Sequence, residues 1–98
     1  PLLERAVRSR PDEAGAVYAL ARARGEAGDH GQALKLYEQA AVAKGAGAWP
    51  VQYRLGLTLE QLGRLEEAKA AFKRHVAAGK GPKNLLEEAR KRLDALGP

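Results

Sequence analysis

Apolar positions recur along this chain at spacings of three and four, which belong to helices and not to strands. In YRLGLTLEQLGRLEEAKAAF, from Tyr53 to Phe72, Leu55 and Leu59 share one face, and after a break at Gly63 so do Ala68 and Phe72. That stretch predicts two helices joined by a turn. Read in the same way, the whole chain predicts helices over 2–9, 13–27, 30–44, 50–62, 65–78 and 83–96. KGAGAWP at 44–50 and AGKGPKN at 78–84 read as connections, with Pro50 suited to a first helical turn. The class is all-α.

The pattern also repeats. A shift of 35 residues lays Gly28 on Gly63, Ala33 on Ala68, Tyr37 on Phe72, and Leu20-Ala21 on Leu55-Gly56. A fixed period of this length marks stacked helical units, whereas a four-helix bundle would show heptads. Each recurring residue has a physical reason. Gly56 removes a side chain so that a second helix can approach. Gly63 stands where a helix end commonly turns left-handed. Ala68 and Phe72 present a small and a large group to one surface.

These residues resemble the tetratricopeptide repeat, a helical hairpin of about 34 residues with the pattern W-x2-L-G-x2-Y, a turn glycine, A-x3-F and a late proline. One repeat matches through Leu20, Ala21, Gly28, Ala33, Tyr37 and Ala40, the next through Leu55, Gly56, Gly63, Ala68 and Phe72. The chain departs from the pattern at its Trp place, held by Val17 and Gln52, at its Tyr place, held by Arg24 and Leu59, and at the late proline, which is Gly45 or displaced to Pro82. The resemblance implies an α-solenoid of antiparallel hairpins with a C-terminal capping helix. Residues 1–98 then form one domain, read as a piece of a longer protein. Its parts are the second helix of a truncated repeat (1–12), repeats at 14–47 and 49–82, and a terminal helix (83–97).

The resemblance further implies a role as a protein-binding adaptor or scaffold, with the first helix of each hairpin lining a concave face. The family's inner positions fall here on Tyr18, Arg22 and Glu26, then Tyr53, Leu57, Glu60 and Gln61, and in the last helix Asn84, Glu87 and Lys91. Tyr18 and Tyr53 hold the same place in successive repeats. Either they offer contact area with a polar tip to a partner, or they simply pack between helices. Trp49 is likewise open, as a hydrophobic staple against Tyr53 or as an exposed anchor. The family's clamp for a C-terminal carboxylate uses Asn and Lys at inner places where this chain has Ala19, Arg22, Arg54 and Leu57. Arg22, Arg54 and Lys91 still suit a partner segment that is acidic.

Composition narrows the classes. The chain has 98 residues, 45% apolar and 30% charged, and no cysteine, so no disulfide, thiolate metal site or Cys nucleophile is expected. Its Ala, Gly and Arg bias suggests a bacterial source. No apolar run reaches the ~20 residues of a membrane span, so a soluble protein of cytoplasm or periplasm is expected. No enzyme site emerges. His30 and His75 lie at no metal-ligand spacing. Glu66-Glu67 suits a helix N-terminus, and AAGKGPK fails as a phosphate loop because Arg74 replaces its first glycine and Gly81 its Ser or Thr. No cofactor or metal is expected.

Two alternatives to groove binding follow. Net charge is +5, and Lys69, Lys73, Arg74, Lys80 and Lys83 fall in a stretch with no acidic residue, either a solvated edge or a surface for an acidic protein, anionic lipid or nucleic acid. Self-association through the ends is the other, with Leu3 and Val7 on the exposed face of the first helix.

Overall fold

A computed structural model describes residues 13–97, and every helix expected there is present. The described residues contain α1 (Ala14–Glu26), α2 (His30–Ala41), α3 (Val51–Gln61), α4 (Leu65–Ala78) and α5 (Lys83–Leu96), with a short 3-10 turn at Ala46–Ala48. The helix expected over 2–9, and with it Leu3 and Val7, lies outside the described residues. The chain divides into two compact units between Val51 and Gln52.

In the first unit α1 and α2 pair across a short turn, which makes them antiparallel neighbours. Gly28 takes φ 88°, a value that favours glycine. Asp29 then starts α2, its carboxylate accepting from the Gln32 N–H at 3.1 Å. Between the helices Ala33 and Ala40 are wholly buried, and the Tyr18 ring meets Tyr37 edge-on at 5.8 Å. The end of α2 differs from expectation. It stops at Ala41 rather than 44, because Gly45 turns left-handed at φ 85° and the Lys44 carbonyl accepts from the Ala14 N–H at 3.1 Å. Val42 is therefore left 88% exposed outside the helix.

In the second unit the same turn is built again. Gly28 N–H bonds Gly25 carbonyl at 3.0 Å and Asp29 N–H bonds Arg24 carbonyl at 2.9 Å; 35 residues on, Gly63 bonds Glu60 at 3.0 Å and Arg64 bonds Leu59 at 2.9 Å. The repeat thus exists in hydrogen bonds as well as letters. Its chemistry differs at one place: Arg64 caps α4 without a side-chain bond, and Glu66 and Glu67 in the first turn supply the negative charge that a helix start favours. Arg64 also pairs with Glu67 at 2.6 Å. Phe72 is wholly buried, lying edge-on to Tyr53 at 6.1 Å and against the backbone of Gly56. After Gly79, left-handed at φ 61°, Pro82 leads into α5, which packs on α4.

Candidate functional site

The residues singled out as inner positions fall into two sets. In the first unit, Tyr18 is buried, with Tyr37 on its edge and the Trp49 indole stacked on its face at 5.3 Å. One and two helical turns on, Arg22 and Glu26 are exposed and approach to 3.6 Å. Such a surface pair is worth at most ~1 kcal/mol, so both charges stay available to a partner.

Trp49 is the feature of this unit that the sequence leaves open. Its stack on Tyr18 has room because residue 15 is glycine: a Cβ there would lie 3.0 Å from the indole Cζ2. Trp49 nonetheless keeps 45% of its surface exposed. Gly15→Val is therefore expected to push the indole off Tyr18. Since Trp49 is the single tryptophan, emission from the folded variant should shift to the red, and an unchanged spectrum would contradict the stack.

In the second unit, Tyr53 is buried between Phe72 and His75, whose ring lies 5.6 Å away, with the Arg54 guanidinium 6.0 Å from its centroid. Burial, reinforced by the Glu88 carboxylate, pushes the phenol above its ordinary value. Leu57 is half-buried, and Gln61, Asn84, Glu87 and Lys91 are exposed. Glu60 is joined to α5 by a residue the sequence reading passed over, Arg92, which donates to Glu60 Oε2 at 3.1 Å and to Glu88 Oε1 at 3.2 Å. The i, i+4 spacing of Glu88 and Arg92 was a legible signal for half of that bridge. Its long-range half was not, because no local spacing relates Glu60 to Arg92.

Folding also draws on the basic stretch. Lys69 is 7% exposed, with its ammonium 3.2 Å from Glu66, and Arg74 donates to Gln52 Oε1 at 2.9 Å. Lys73, Lys80 and Lys83 are exposed. Among the described residues, no three His, Asp or Glu side chains group so as to hold a metal. None of their helices is long and apolar enough to cross a membrane.

Recurrent turns, a glycine under an aromatic and a period of 35 residues all describe one kind of unit. The tetratricopeptide repeat model matches the chain over residues 1–48 and 18–84. The chain belongs to the tetratricopeptide repeat family. A comparison with curated proteins gives no match. Tetratricopeptide repeats are non-catalytic units that mediate protein–protein interactions. In this tetratricopeptide protein α1, α3 and α5 carry the mixed charges described above, whereas Tyr18 packs on Tyr37 and Trp49, and Tyr53 on Phe72 and His75.

Proposed function

We propose that this chain is an adaptor or scaffold module that holds a peptide or helix of another protein against the first helices of its hairpins. Membership of the tetratricopeptide family is the observation that carries the reading. In the first unit the contact residues are Arg22 and Glu26, with the Tyr18–Trp49 stack as an apolar neighbour. In the second they are Leu57, Glu60 and Gln61 on α3, and Asn84, Glu87 and Lys91 on α5. Tyr18 and Tyr53 support these surfaces from beneath, since each is more than nine-tenths buried. The mechanism is recognition without chemistry, apolar contact supplying affinity and charges setting register.

Because truncating a buried tyrosine would disturb folding, the test uses exposed positions. A photo-crosslinking residue is placed in turn at Arg22, Gln61 and Lys91, and for comparison at Lys35, Glu38 and Lys73 on the second helices. The expected result is one protein crosslinked from the first-helix positions and not from the others. Equal labelling from both sets, or labelling only from Lys35, Glu38 and Lys73, would move the site elsewhere. Crosslinks solely between copies of the chain would favour self-association.

A further inference from the structure

The binding reading makes no use of His75, yet its setting is unusual. It lies in the last turn of α4, 6% exposed, with its ring tilted against Tyr53 of α3. Its Nε2 is buried without a hydrogen-bond partner. A neutral imidazole tolerates such a place, since one ring nitrogen need only be a bare acceptor. An imidazolium must donate from both nitrogens, and burying an unpaired charge is far more costly than burying an unpaired neutral group. We propose that His75 is an acid-sensitive latch in the second hairpin, proton uptake by its imidazole loosening α4 from α3.

The groups around it do not offer the proton a counter-charge in the relevant range. On α3 the ring it faces is Tyr53, whose phenol is raised and so stays neutral, and Arg54 stands beside that ring. Glu60 on α3 is engaged by Arg92 through Oε2, its Oε1 being buried without a partner, and Glu88 on α5 is engaged by the same guanidinium; neither carboxylate acts on the imidazole, whose shift comes from burial. On α4 itself Arg74 is bonded to Gln52, and Lys69 to Glu66. Position near a helix C-terminus would favour the cation, but burial prevails and lowers His75 below its ordinary 6.5. The sign follows: between the two values the unfolded chain binds a proton that the folded one refuses. Stability is thus fully present above about pH 6.5 and declines as pH falls toward the folded value. Each unit of separation makes the folding equilibrium up to ~10-fold less favourable. This inference rests on the second unit alone and stands whether or not the proposed binding surface is correct.

The test follows urea unfolding of the whole chain from pH 7.5 to 5, above the carboxylate range of about 4. It compares wild type with His75→Phe and with His75→Gln, each in a His30→Gln background that removes the other histidine. The wild-type equilibrium should fall with acid, and both variants should lose that slope. In parallel, the His75 ring resonance should titrate below 6.5, and the α4 amides should lose protection relative to their intrinsic exchange rates as it does. Parallel slopes in all three proteins, or a resonance titrating at or above 6.5, would overturn the latch. Should neither variant fold, the wild-type resonance alone decides.

Discussion

Replacing Phe72 by alanine is expected to remove about 3–5 kcal/mol of stability, the range for emptying an aromatic site in a closed core. The upper half of that range is expected. Phe72 is 0% exposed, its ring is matched on one side by the bare backbone of Gly56, and on the other it meets Tyr53 edge-on. Neither neighbour can easily collapse into the void. A helix backbone cannot advance without dragging its side chains, and Tyr53 is held by His75 as well. At roughly 4–8 °C per kcal/mol for a domain of this size, the melting temperature followed by circular dichroism should fall steeply. A loss below ~1 kcal/mol would mean that the second hairpin closes over the gap, and that Phe72 is not its keystone.

The position of Phe72 was legible because it recurs with Tyr37, four residues beyond an alanine that also recurs. Much of the fold was readable in this way. Gly63 predicted a left-handed turn and has φ 75°; Glu66 and Glu67 predicted a helix start and occupy the first turn of α4. Such features are local, fixed by backbone sterics or by the first few unpaired amides, so a single sequence can carry them. The end of α2 was less legible, since it depends on the Lys44 carbonyl finding the Ala14 amide, a bond between residues far apart in sequence.

The candidate surface was read in part for the same reason. Period placed Tyr18 and Tyr53 on the first helices but could not say that each ring would turn to its own hairpin, because that depends on what is packed alongside. Tyr18 gains an aromatic lid from Trp49, and Tyr53 gains Phe72 and His75. Lys69 likewise looked like one of five available cations until the fold buried its stem and set its ammonium beside Glu66. In the proposed binding mode the partner meets the exposed polar set around those rings. The resemblance named those residues, but which of the inner positions stay exposed depends on packing between residues far apart in sequence.

The second large effect is expected at Gly56. Substitution by alanine in a helix interior ordinarily stabilises by up to ~1 kcal/mol through propensity alone, and Gly31, in the first turn of α2 with nothing within 4 Å of an added Cβ, should show that gain. At Gly56 the same methyl would stand 2.6 Å from two ring carbons of Phe72. Because that ring has no exposed side toward which to swing, α3 must move away from α4, and a net loss of about 1–3 kcal/mol is expected. The double substitution Gly56→Ala with Phe72→Leu separates this contact from any defect of α3 itself. Leucine takes the ring edge away from the new methyl, so the pair should cost less than the sum of its parts, with a coupling of about 0.5–3 kcal/mol. Strict additivity, or a loss at Gly31 equal to that at Gly56, would place the fault in helix backbone. The expected opposition of sign between the two glycines would show that the small residue is kept for the closeness of two helices.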